Sequence, residues 1–100
     1  MSRTLKRNIF YVQAYDSEDV EFYRVTRSTT NTCEVERLRK TIVFQNEDVQ
    51  WVEPDLKSSG NLYRCRVIRE TEIEFKSGDT GIAWDGKPVK QTCIIYMPMI

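Results

Sequence analysis

The sequence predicts a mainly β fold, a small antiparallel barrel or sandwich of six to eight strands, with one short helix near residues 33–40. Three observations carry this reading. Clusters of turn-forming residues recur at about ten-residue spacing, as they do in sandwiches and barrels. The stretch from Leu62 to Lys76 alternates with period two and holds no Gly, Pro, Asn or Asp. Finally, 100 residues with 40% hydrophobic and 30% charged content suit one globular core rather than a disordered chain. A single domain over residues 1–100 follows, with residues 1–7 expected to fray.

Asn8 to Tyr15 (NIFYVQAY) is apolar and aromatic on both faces, which predicts a largely buried strand. Asp16-Ser17-Glu18-Asp19 is turn chemistry, because short oxygen-bearing side chains bond their own backbone. Val20 to Arg27 carries Tyr23, Val25 and Thr26, good strand formers, and completes a hairpin. A helix capped by Asp16 or Ser17 is the rival, but Val20, Phe22, Tyr23 and Val25 make no clean 3.6-residue stripe. Ser28 to Thr32 is a polar loop.

Cys33 to Lys40 (CEVERLRK) holds good helix formers, a Val35/Leu38/Ile42 stripe and a Glu36–Lys40 pair at i,i+4. As a strand its apolar positions would change face between Val35 and Leu38, which would need a bulge. We therefore expect a short helix feeding a strand at Thr41 to Gln45. Gln45 to Asp48 is a turn, Val49 to Val52 a short strand, and Glu53 to Asn61 the clearest loop.

The alternating stretch Leu62 to Lys76 is either one long bent strand of roughly 45 Å, or two strands split by a tight turn near Arg69-Glu70-Thr71. Ser77 to Gly81 is a turn. Ile82 to Trp84, Asp85-Gly86 and the residues from Lys87 onward predict a second hairpin, since Asp-Gly favours a type I′ turn, with Pro88 limiting pairing where the return begins. Thr92 to Met97 is apolar on both faces and predicts a central strand.

Fifteen basic and fifteen acidic residues give a formal net charge of zero. That argues against a polycation binding nucleic acid by bulk electrostatics. The chain has no histidine, which removes the commonest general base and metal ligand and every Ser-His or Cys-His nucleophile. P-loop, G-x-G-x-x-G, G-x-S-x-G and H-E-x-x-H motifs are absent. No apolar run reaches the ~20 residues of a membrane helix, and the basic start lacks a cleavage pattern. The expectation is a soluble, cytoplasmic, non-enzymatic protein without cofactor, metal or membrane partner. Cys33, Cys65 and Cys93 lie far apart without a C-x-x-C and read as buried, reduced thiols.

The charge is uneven along the chain: net +2 over residues 1–40, −3 over 41–60 and +1 over 61–100. The acidic middle sets Glu47, Asp48, Glu53 and Asp55, with Lys57, around Trp51. Trp is favoured at interface centres and an acidic rim steers a basic partner. Trp84, beside the Asp85-Gly86 turn, is a second candidate anchor. These residues point to a module that occupies a protein partner's surface, as an inhibitor or accessory protein. Such a compact chain fits a phage or viral accessory protein by association, and a strand-paired homodimer is a further form. The alternative is a single-stranded nucleic-acid binder using Tyr63, Arg64 and Arg66, with the aromatic ring stacking on bases. A third reading takes Glu70, Glu72 and Glu74, about 7 Å apart on one strand face, as a carboxylate or metal-dependent enzyme site; solvated partners of neighbouring Lys or Arg are their plainer role. Gly78-Asp79-Thr80-Gly81 matches a bare G-x-x-G, but between strand signals it reads as a turn.

Overall fold

The computed structural model describes residues 8–14 and 19–92. Among these residues there are nine strands and no helix: β1 (Ile9–Gln13), β2 (Val20–Ser28), β3 (Thr32–Leu38), β4 (Lys40–Asn46), β5 (Val49–Pro54), β6 (Leu62–Arg69), β7 (Glu72–Phe75), β8 (Thr80–Ala83) and β9 (Val89–Thr92). Every pairing is antiparallel. Six strands close a barrel in the order β1-β2-β3-β6-β7-β8, and the other three form a sheet ordered β4-β5-β9. The mainly β barrel is thus the architecture present.

The hairpin β1–β2 is apolar on both faces because both faces are covered. Phe10, Val12, Tyr23 and Val25 point into the barrel, where they meet Cys33, Val35, Cys65, Ile73 and Phe75. Ile9, Tyr11, Val20 and Phe22 point out of it, onto a second core shared with Leu38, Val52, Trp84 and Val89. The three-stranded sheet is therefore a lid on one outer wall of the barrel. Burial of a large aromatic such as Phe22 contributes a few kcal/mol, so this wall needs its cover.

The helix expected at 33–40 is a strand. Cys33 and Val35 alternate into the barrel, while Glu34 and Glu36 face outward beside arginines: Glu36 pairs with Arg24 and Glu34 lies opposite Arg64. Burial and cross-strand pairing outweigh the intrinsic helix preference of this segment. The face change before Leu38 needs no bulge in β3, because Val35 fills the inner core and Leu38 the outer one. The bulge lies in β2 instead, between Val25 and Arg27.

The alternation over 62–76 is resolved as two strands. Glu70 and Thr71 make the turn, Arg69 lies opposite Glu72, and a bulge between Val67 and Arg69 precedes it. The second hairpin is corrected. β8 pairs with β7 and β1 to close the barrel, whereas β9 pairs with β5. Asp85-Gly86 still turns the chain, with Gly86 at φ 90° and the Lys87 N–H donating to Asp85 Oδ1. Trp84 is seated in the second core and its Nε1 donates to the Lys87 carbonyl at 2.7 Å. That directs the return away from the barrel and toward the sheet. β9 begins directly after Pro88. The frayed start at 1–7, the turn residues Asp16 to Glu18, Cys93 and the expected strand beyond Thr92 lie outside the described residues.

A polar knot fixes lid to barrel. Gln91 is buried, and its Oε1 accepts from the Val20 N–H and from Lys40 Nζ, each at 3.1 Å. Its Nε2 donates to Gln50 Oε1 at 2.9 Å. Lys40 also donates to the Asp19 carboxylate and the Val20 carbonyl. Four strands thereby meet at one satisfied amide. The β4–β5 turn carries a contrasting strain: Glu47 sits at φ 52°, a left-handed conformation that suits glycine.

Gln91→Leu leaves a buried N–H without its acceptor. It should cost about 2 kcal/mol and lower Tm by roughly 10 °C; unchanged thermal unfolding would contradict the knot's role. Glu47→Gly removes the strain at the β4–β5 turn and should raise Tm by roughly 4–8 °C, for about 1 kcal/mol gained, measured in the same melting experiment.

Candidate protein-binding surface

The lid has a second face, turned away from the barrel. On β5, Gln50 and Val52 point inward, so Trp51 and Glu53 point outward by strand alternation. Register then sets the outer neighbours. Phe44 on β4 and Lys90 on β9 flank Trp51, giving the cross-strand row Phe44–Trp51–Lys90. Val43 is the extra residue of a bulge between Ile42 and Phe44. Ile42 lies opposite Val52 but on the outermost strand. Ile42 therefore shares the inward side of Val52 at the sheet's edge, and the outer apolar surface is built from Val43, Phe44 and Trp51, with 47, 57 and 37% of each residue exposed. Among the described residues β4 pairs on one side only. Its bulge disrupts a regular hydrogen-bonding edge, a feature that limits indiscriminate strand addition.

Four of the predicted interaction residues belong to this face or its rim. Glu47 and Asp48 are exposed at the hairpin tip, Trp51 is in the middle row, and Glu53 is two positions along β5. Asp55 and Lys57 belong to an anchored loop instead. Asp55 Oδ1 accepts from the Lys57 N–H, the Asp55 N–H donates to the Arg39 carbonyl, and Arg24 donates to the carbonyls of Leu56 and Ser58. Trp84 packs edge-on to Phe22 at 6.1 Å in the second core, on the opposite side of the lid from Trp51. The strongest members of the surface beside Trp51, Val43 and Phe44, escape a sequence reading that takes this stretch as an ordinary strand. Their signal is three consecutive apolar residues: a period-two strand covered on one face cannot bury all three.

Tyr63, Arg64 and Arg66 divide across their strand. Tyr63 turns toward the barrel mouth, where it meets Tyr23 at 5.7 Å and Phe75 at 6.2 Å. Arg64 and Arg66 are exposed on the outside, and Arg66 pairs with Glu74 at 2.7 Å. The three glutamates likewise do not form one row. Glu70 is in the turn, Glu72 pairs with Arg69 at 2.9 Å, and Glu74 with Arg66. Gly78 lies in a plain turn at φ 92°, where Ser77 bonds Asp79, and Gly81 is buried where a Cβ would press on Ile73 at 2.9 Å. Among the described residues no group of three or more His, Cys, Asp or Glu is placed to hold a metal ion. No helix among them is long and apolar enough to cross a membrane.

The barrel mouth forms one of several clefts, about 450 Å³ and lined by Tyr23, Tyr63, Phe75 and Lys76 among others. Burial, then the charge of Glu21 and the neighbouring Tyr63, push the Tyr23 phenol up to about 12.

Comparison with known proteins yields no matching family model, no matching curated protein and no matching solved structure.

The folded state holds the Tyr23 proton more tightly than the unfolded chain, so stability should fall as pH rises from about 10 toward 12. The phenolate absorbance lost in Tyr23→Phe should therefore develop near pH 12; development near 10 would show that the ring is not buried as described.

Proposed function

We propose that this chain is a protein-binding module that acts by occupying a partner's surface through the outer face of its three-stranded sheet. The observation that supports this most is the group Val43, Phe44 and Trp51, apolar and about half exposed on a sheet whose other face is already used. Contiguous apolar surface of this kind, rimmed by charge, marks interaction sites in folded proteins. Phe44 and Trp51 are the large rings that supply most binding energy when a partner excludes water from them. Glu47, Asp48 and Glu53 supply an acidic rim, which favours a partner with basic groups around an apolar centre. The bulged edge of β4 argues for recognition by side chains rather than by strand addition alone. Inhibitor and accessory subunit are the two roles open to a module that binds without chemistry of its own.

The test uses the intact protein as bait in an extract of its native host, with partners identified by mass spectrometry. Phe44→Ser and Trp51→Ala should each weaken capture of the specific partner by about 30-fold or more. Both residues are outside the two cores, so circular dichroism should show a folded protein in each case. Arg64→Ala with Arg66→Ala, on the far barrel wall, should leave capture intact. The same partners retained by all variants would refute the surface.

A further inference from the structure

The barrel interior holds a pair of thiols that the binding surface does not use. Cys33 on β3 and Cys65 on β6 are register partners on neighbouring antiparallel strands. Both side chains are buried in the barrel core, and neither is in a disulfide. The ladder also fixes the kind of pair. In the same register the Val67 N–H donates to the Asn31 carbonyl and the Arg37 N–H to the Asn61 carbonyl. Hydrogen-bonded pairs recur at every second position, so Cys33 and Cys65 occupy one, with Cα atoms about 5.5 Å apart. That lies inside the span a disulfide bridges, whereas the Cβ separation of about 5.5 Å exceeds the 3.5–4.5 Å of a relaxed bond by roughly 1 Å.

The thiols are buried but close to solvent. Cys33 is the second residue of β3, near the end of the barrel. Cys65 lines one surface cleft and Cys33 another, and Thr32 and Arg64 line both. The Arg64 guanidinium offers a counter-charge to an anionic reagent entering either cleft.

We propose that Cys33 and Cys65 are a redox modification site: a dithiol that small disulfides of the glutathione class convert to a reversible cross-strand disulfide joining β3 to β6. The Cys33 thiolate attacks one sulfur of the oxidised reagent, releasing one thiol and forming a mixed disulfide. Cys65 then loses its proton, and its sulfur attacks Cys33 Sγ and expels the second thiol. The two protein S–H groups are oxidised to S–S, and the reagent's disulfide is reduced to two thiols. Cys33 is the attacking group: the adjacent Cys65 thiol holds its thiol below the ordinary range, while the Cys33 thiol and burial push Cys65 up. Drawing the two Cβ atoms together strains the ladder, which makes the bond easy to reduce again. The bond would also close the base of the segment that carries β4 and β5.

The experiment treats the folded full-length protein with oxidised glutathione, quenches in acid, unfolds it and counts free thiols. The count should fall from three to one. Trypsin should then release residues 28–37 linked to residues 65–66, with Cys93 unmodified. Cys93→Ser should fall from two thiols to none, and Cys33→Ser should form no internal link. Reduced glutathione should restore all three thiols in the native chain. An unchanged count, a link that includes Cys93, glutathione adducts alone, or a bond that reduced glutathione cannot open would each overturn the proposal.

Discussion

Everything in this fold depends on a hairpin that must be covered on both sides. β1 and β2 carry large apolar groups on each face, and a closed barrel hides only the inner set. The outer set, Ile9, Tyr11, Val20 and Phe22, would be exposed without a second layer. The three-stranded sheet is that layer, built from a hairpin inserted between two barrel strands and from the strand that follows the barrel's last member. Hydrophobic burial is non-directional and would permit the sheet to slide. The buried amide of Gln91, bonded at once to β2, β4 and β5, supplies the direction that burial lacks. A sheet recruited to cover one wall has its other face to spare, and that face carries the exposed aromatic row.

How much of this is legible in the sequence depends on whether a segment's partners are close along the chain. The two-faced character of Asn8 to Tyr15 is plain in its residues and finds its cause in the two cores. The hairpin β1–β2, the turn at Glu47-Asp48 and the loop after Pro54 are local features and stand where turn chemistry places them. Val35 and Leu38 mislead because helical spacing and a strand serving two different cores put apolar residues at the same positions. Asp85-Gly86 misleads differently: its turn is real, but the strand before it answers to β1 and β7 and the strand after it to β5. Trp51 is visible as a candidate because of its acidic neighbours. Phe44 becomes visible only when register sets it beside Trp51.

The charged residues follow the same division. The arginines and glutamates of β2, β3, β6 and β7 are matched across strands, Arg24 with Glu36, Arg37 with Glu21, Arg66 with Glu74. The exposed pairs, Arg37–Glu21 and Arg66–Glu74, contribute little to stability, typically below 1 kcal/mol, but such pairs help settle which strands lie side by side by penalising like-charge registers. Among the described residues the carboxylates at the tip of the β4–β5 hairpin enter into no such ion pair, so local charge gathers there on a protein that is neutral as a whole.

Closure of the barrel between β1 and β8 joins residue 10 to residue 83. Long-range pairings of this kind are slow to form, because the chain between them must be ordered before the contact rewards it. During synthesis β1 emerges well before β8, so a hairpin with two greasy faces waits for most of its cover to be made. The order of assembly is thereby constrained: β2, β3 and the inserted hairpin can gather on β1 as they appear, and the last strands lock what has already collapsed. A truncated chain lacking β8 and β9 would keep most of its residues yet lose both the seam of the barrel and the strand of the lid that carries Gln91.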